Sequence, residues 1–104
     1  MLYHYNKLIR DNNVKIMEDR GCRVTWEKMN AKKYGEELDK KLREEIEEFL
    51  ENYDPEEMAD VIEVIYAQLE FRNIKREDVE KIRIEKKNRK GAFKNRIFLK
   101  TVEE

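Results

Sequence analysis

The sequence has few of the residues that build several common kinds of functional site. Its 104 residues include one cysteine and one histidine, Cys22 and His4. An internal disulfide and a cysteine–histidine metal site are therefore excluded. Because His4 is the only imidazole and is distant from Cys22 in the sequence, we interpret Cys22 as an incidental residue rather than a nucleophile.

Long apolar runs and an excess of one charge are also missing. No apolar stretch is long enough to cross a membrane, and the polar segment Met1–Arg10 does not resemble a signal peptide, so we expect a cytoplasmic protein with no membrane partner. The 23 basic and 24 acidic residues nearly cancel. This balance argues against a general polyanion binder, and no nucleic-acid partner is expected.

The composition predicts one small domain that associates with copies of itself. No linker, repeat or low-complexity tract divides residues 1–104. Hydrophobic residues make up 39% of the chain and charged residues 45%. Since so few apolar residues give a small chain a thin core, we expect a homodimer or homotetramer in which protomers share helix faces.

The spacing of apolar residues predicts a mainly α fold, a helical bundle with short peripheral strands. Helices are expected at about Ala31–Glu51, capped by Asn30, at Pro55–Arg72 and at Arg76–Arg89, with a short one before Gly21. Two segments, Arg23–Met29 and Ala92–Val102, have strand-like composition, and we expect them to pair as short strands.

Two pairs of carboxylates flank the turn between the two longest predicted helices. Glu45 and Glu48 are three residues apart on the first helix, and Glu57 and Asp60 repeat that spacing on the second. Residues three apart share one face of a helix. Asp54 is expected to cap the second helix, with Glu57 at the capping-box position. Two antiparallel helices would therefore bring the four acids together.

Four neighbouring carboxylates repel one another unless a cation lies between them, and an all-oxygen site suits Mg²⁺ or Mn²⁺. The alternative is an ordinary solvated acidic surface, as is common on lysine- and glutamate-rich helices. The pair Glu57 and Asp60 favours the metal site, because these two acids lie in the most apolar of the predicted helices. Glu63 is one turn from Asp60 and could assist as a further ligand. A di-iron bundle site is disfavoured because it needs histidines on the helices.

A hard divalent cation commonly acts on a phosphate-bearing substrate. Basic residues that could contact such a substrate, Lys86, Arg89 and Lys90, lie near the end of the last predicted helix. The alternative for these residues is a solvated helix C-terminus, where the helix dipole favours cations. The chain lacks the G-x-x-x-x-G-K-[ST] motif, so it is not a P-loop protein.

The order of these motifs resembles that of one known family. The pattern K-x-x-E-E-x-x-E, at Lys41–Glu48, is followed by E-x-x-D, at Glu57–Asp60. Together they are similar to the MazG-like all-α nucleoside triphosphate pyrophosphohydrolases, relatives of phosphoribosyl-ATP pyrophosphohydrolase. The opening Tyr5–Asp11 and the closing Arg89–Leu99 also resemble the ends of one MazG-like subgroup, so the resemblance covers nearly the whole chain.

The resemblance implies Mg²⁺-dependent hydrolysis of a nucleotide between the α and β phosphates, giving a monophosphate and pyrophosphate. It also implies a helical bundle completed by dimerisation or tetramerisation. It assigns the Mg²⁺ ligands as Glu45, Glu48, Glu57 and Asp60. Lys41 would contact phosphate, Glu44 would orient water or a second metal, and Glu44 or Glu48 would accept the proton of the attacking water.

One departure from the family pattern concerns substrate selection. Only eight residues separate Glu48 from Glu57, fewer than is typical of the family, so a base-recognition loop has little room. Two other functions stay open at this point. The first is phosphoribosyl-ATP hydrolysis in histidine synthesis, and the second is a helical interaction module without catalytic activity.

Overall fold

A computed structural model of the protein describes residues 1–104 as four α-helices with no β-strand. The helices are α1 (Asn13–Asp19), α2 (Ala31–Asn52), α3 (Pro55–Phe71) and α4 (Arg76–Lys90). The predicted mainly α fold is confirmed, and the three long helices lie within one residue of their expected bounds. The short helix also precedes Gly21, whose φ of 88° is a conformation that glycine adopts easily.

The two predicted strands are wrong. Residues 23–29 exchange no backbone hydrogen bonds with any other segment, and residues 92–102 contain only one, the turn bond from Arg96 N–H to the Phe93 carbonyl. A strand-like composition means that the side chains would suit a pleated surface. A strand also requires backbone hydrogen bonds to a neighbouring strand. In this chain no backbone hydrogen bond joins the two segments, and both are irregular.

A two-residue connection, Tyr53–Asp54, turns α2 back onto α3. The Tyr53 N–H donates to the Phe49 carbonyl at 2.7 Å, and Tyr53 adopts a left-handed conformation with φ of 58°. The Asp54 carboxylate accepts from the Glu56 N–H at 2.9 Å, which confirms the predicted N-cap. The predicted capping box is wrong, because the Asp54 N–H donates to the Asn52 side chain instead of Glu57.

The antiparallel α2–α3 hairpin holds the small core. Leu38 and Val61, 1% and 5% exposed, are the only buried hydrophobic residues. Further from the turn, the rings of Tyr34 and Phe71 meet edge to face with centroids 5.0 Å apart. Gly35 lies against the Phe71 ring, where a β-carbon would come within 3.1 Å of it. These contacts therefore hold α2 and α3 together from the turn to the open end of the hairpin.

The rest of the chain leaves much apolar surface uncovered. Helix α4 has no buried residue, and on α3 the side chains of Ile62 and Ile65 are exposed. The radius of gyration is 18.8 Å, whereas a compact chain of this length has about 13 Å. No helix combines the length and the apolar composition that a membrane crossing requires.

Candidate metal centre

Three carboxylates meet between α2 and α3, close to the turn. Glu45 lies two turns before the end of α2, and Glu57 and Asp60 lie in the first two turns of α3. Because the hairpin is antiparallel, these turns lie side by side. One carboxylate oxygen from each residue falls within 4.8 Å of the other two. The structure thus brings together three of the four residues predicted as metal ligands.

Glu45 is the most unusual residue of this cluster. Its position is buried, with 7% of its surface exposed, and no hydrogen-bond donor reaches its Oε2 atom. The other oxygen, Oε1, lies 3.3 Å from the Lys41 ammonium. Burial raises the pKa of Glu45, the Lys41 ammonium opposes that rise, and the charges of Glu48 and Asp60 add to it. A buried carboxylate oxygen without a partner is costly and calls for a cation or a proton.

Three cations approach the cluster from its edge. Lys41 lies 3.4 Å from the Glu44 carboxylate as well as near Glu45. From the N-terminal segment, the Arg10 guanidinium donates to Asp60 at 2.6 Å, and the Lys7 ammonium lies 3.4 Å from Glu44. None of them reaches Glu45 Oε2. The centre of the cluster therefore stays negative while its rim is neutralised.

The other predicted site residues have different surroundings. Glu48 is half-buried on α2 and lies outside the group of three converging oxygens, although its charge acts on Glu45. Glu44 is half-buried and pairs with lysines. The α4 residues Lys86, Arg89 and Lys90 are exposed and form no ion pair with a carboxylate. The single chain does not bring these three cations into the cluster.

Lys7 and Arg10 lie at the cluster although no motif or spacing in the sequence predicted them as site residues. Both belong to the opening Tyr5–Asp11 that carries part of the family resemblance. Their spacing in an irregular segment has no period that would place them on a face, and their acidic partners lie 37 and 50 residues away. Only the fold, which lays the N-terminal segment across α2 and α3, reveals their position.

The cluster offers only carboxylate oxygens as ligand atoms. Such donors suit hard divalent cations rather than Zn²⁺ or Cu²⁺, which prefer nitrogen and sulfur. The unpartnered Glu45 Oε2 is the atom that such an ion would satisfy. The donor set and the burial of Glu45 therefore fit a divalent cation.

A scan against protein-family models finds no matching family, and searches of curated proteins and of solved structures find no similar chain. The function is therefore inferred from the carboxylate cluster and the sequence motifs.

Proposed function

We propose that the protein is a Mg²⁺-dependent nucleotide pyrophosphohydrolase, which cleaves a nucleoside triphosphate or related nucleotide between the α and β phosphates. The observation that carries the proposal is the convergence of Glu45, Glu57 and Asp60, with Glu45 Oε2 buried and without a donor. The reaction itself comes from the motif resemblance, in which these same positions are ligands.

The metal would be held by Glu45, Glu57 and Asp60, with Glu48 as a further ligand from the neighbouring turn of α2. A bound Mg²⁺ supplies Lewis-acid activation of the phosphate and lowers the pKa of water; Mn²⁺ has the same preference for oxygen ligands. The chain supplies no histidine for proton transfer near this cluster. Glu44 and Glu48, both half-buried beside it, are the residues placed to accept the proton of the attacking water.

Lys41 is the cation that the motif resemblance assigns to a phosphate. Its side chain is only 15% exposed, and its ammonium is held between Glu44 and Glu45. A lysine held in this way contributes a fixed positive charge without needing to reorganise. Lys86, Arg89 and Lys90 would serve the same substrate only if α4 of this or another protomer approached the cluster.

Self-association is part of the proposal. The uncovered Ile62 and Ile65 on α3 and the exposed Val79 and Ile82 on α4 are the kind of surface that a bundle buries between protomers. The extended shape of the single chain supports the same conclusion. We propose a homodimer or homotetramer, acting in the cytoplasm on the nucleotide pool, with removal of unwanted nucleotides as its role.

The test is a screen for Mg²⁺-dependent release of pyrophosphate from canonical and modified nucleotides, with the monophosphate product identified by chromatography. Asp60→Asn and Glu48→Gln are expected to reduce turnover to the assay background while the far-UV circular dichroism stays unchanged. Glu56→Gln and Glu47→Gln are matched controls, because both residues are exposed on the same two helices, and they should retain turnover.

Two results would count against the proposal. Retained turnover in both Asp60→Asn and Glu48→Gln would refute the ligand assignment. Metal binding by the wild-type protein with no turnover of any nucleotide would instead favour a helical interaction module. Turnover of phosphoribosyl-ATP alone would narrow the activity to histidine synthesis.

A further inference from the structure

The N-terminal segment Tyr5–Asp11 places two cations beside the carboxylate cluster. Arg10 Nη2 lies 2.6 Å from Asp60 Oδ1 on α3, and Lys7 Nζ lies 3.4 Å from Glu44 Oε1 on α2. The segment therefore lies across both helices. Leu8 and Ile9, which lie between the two cations in the sequence, are half-buried, so the two cations are carried by a segment that packs on the hairpin.

Both cations keep donors available for another ligand. The side chains of Arg10 and Lys7 are 55% and 42% exposed, whereas that of Lys41 is 15% exposed. A guanidinium has five N–H donors in a planar fork that matches the oxygens of phosphate. Only one hydrogen bond from Arg10 to another side chain is present. Ion pairs this exposed add little to stability, so stability alone gives little reason to place Arg10 here.

The charge of the site explains when a phosphate could bind. The site contains three cationic side chains and five carboxylates, so it has an excess of two negative charges, which repels a phosphate. A divalent cation at the centre would cancel that excess. The cations are Lys7, Arg10 and Lys41, and the acids are Glu44, Glu45, Glu48, Glu57 and Asp60.

We propose that Arg10 and Lys7 contact the phosphates of the substrate and that Arg10 exchanges Asp60 for a phosphate oxygen once a divalent cation neutralises Asp60. The inference rests on the proposed function, since it assumes a metal at the carboxylate cluster. It adds a second binding element, the N-terminal segment, to a site otherwise built from α2 and α3. It also requires phosphate binding to depend on prior binding of the metal.

The experiment measures two affinities separately, without turnover. Mn²⁺ binding alone is followed by electron paramagnetic resonance, and binding of inorganic pyrophosphate in saturating Mg²⁺ is followed by calorimetry. Arg10→Gln should bind Mn²⁺ as tightly as wild type or a few-fold more tightly, because a competing cation is removed from Asp60. The same variant and Lys7→Gln should each lose about tenfold or more in pyrophosphate affinity.

Two variants serve as controls. Lys15→Gln removes an exposed lysine that pairs with Asp19 on α1, at 3.1 Å, and should change neither affinity. Arg10→Lys keeps the charge but not the planar fork, and should recover part of the pyrophosphate affinity. Retained Mn²⁺ binding in Arg10→Gln shows that the site is still folded.

Failure of this inference is distinct from failure of the proposed function. If Arg10→Gln and Lys7→Gln bind Mn²⁺ and retain pyrophosphate affinity within twofold of wild type, the inference is overturned and the metal site stands. If wild type binds Mn²⁺ but no pyrophosphate, the inference is likewise overturned. If wild type binds no Mn²⁺, the proposed metal-dependent function falls and the inference falls with it.

Discussion

Replacing Glu45 by glutamine should make the metal-free protein more stable and the metal-bound protein less so. The side chain lies in the α2–α3 interface with Oε2 lacking any donor, and its pKa is raised above the ordinary value of 4.5, chiefly by burial. Glutamine has nearly the same shape. It removes the negative charge and turns its amide N–H donors toward the carboxylates of Glu57 and Asp60.

The expected gain follows from the partners of each oxygen. An unsatisfied buried acceptor costs about 1–3 kcal/mol, and more when it is charged. The Lys41 ammonium, 3.3 Å from Oε1, already offsets part of that cost, and Glu45→Gln weakens this contact. We therefore expect a net gain of about 1 kcal/mol at pH 7, which corresponds to a rise of about 4–8 °C in Tm for a domain of this size.

The gain should depend on pH in a defined direction. Because the folded-state pKa of Glu45 is raised, its contribution to stability is fully present below pH 4.5 and is lost as the pH rises through the folded-state pKa. The stability difference between Glu45→Gln and wild type should therefore be small near pH 4.5 and grow toward pH 8. Saturating Mg²⁺ should reverse the order of stability of the two proteins. A ligand at a hundredfold excess over its Kd adds about 2.7 kcal/mol to the free energy of unfolding of the protein that binds it, which here is wild type.

The assay is thermal unfolding of both proteins at equal protomer concentration, from pH 4.5 to 8, with EDTA or with Mg²⁺. Equal concentration matters because self-association adds to apparent stability. Two results would refute the reasoning: a lower Tm for metal-free Glu45→Gln than for wild type at pH 8, or an equal Mg²⁺-induced rise in the two proteins. The first would show that the Glu45 charge is satisfied, and the second that Glu45 binds no metal.

Two further predictions concern the same hairpin. Leu38→Ala should lower the free energy of unfolding by about 3 kcal/mol, because Leu38 is the most buried side chain. Urea titration measures this loss, and the control is Leu50→Ala at an exposed position, which should change the free energy of unfolding by less than about 0.5 kcal/mol. Equal losses in the two variants would contradict the assigned core. Lys41→Met leaves Glu45 without a cation, so at pH 8 it should destabilise the metal-free protein by about 2 kcal/mol. Because the pKa of Glu45 is raised by burial, the loss should shrink as the pH falls from 8 to 4.5 and the carboxylate takes up a proton. Thermal unfolding that shows the same loss at both pH values would contradict this pairing.

Helix positions were predictable because their causes are local. The Asn30 side chain accepts from the Lys33 N–H at 2.9 Å and starts α2, and Asp54 starts α3 in the same way. Each cap is recognisable from a single residue and its position before an apolar period. The strand at Arg23–Met29 failed for the opposite reason, since a strand exists only if a second segment lies alongside it.

The candidate site was predictable in part. The spacing of Glu57 and Asp60 in an apolar helix correctly indicated that both face a neighbour, and the short turn indicated that Glu45 would meet them. The acid spacing predicted that the carboxylates would meet, but not that Glu45 would be buried, with 7% of its surface exposed. The difference arises because the extent of burial depends on how the two helices are rotated against each other, and helical period alone does not specify that rotation.

By itself, the sequence determined the helices, the N-caps of α2 and α3, the tight turn and the identity of the acids beside it, because each depends on neighbours along the chain. Only the tertiary structure decided that Glu45 loses its water, that Glu48 lies outside the converging oxygens, and that Lys7 and Arg10 reach Glu44 and Asp60. The physical reason is that burial and long-range ion pairing depend on distances between segments remote in sequence. Those distances are set when α2, α3 and the N-terminal segment pack together.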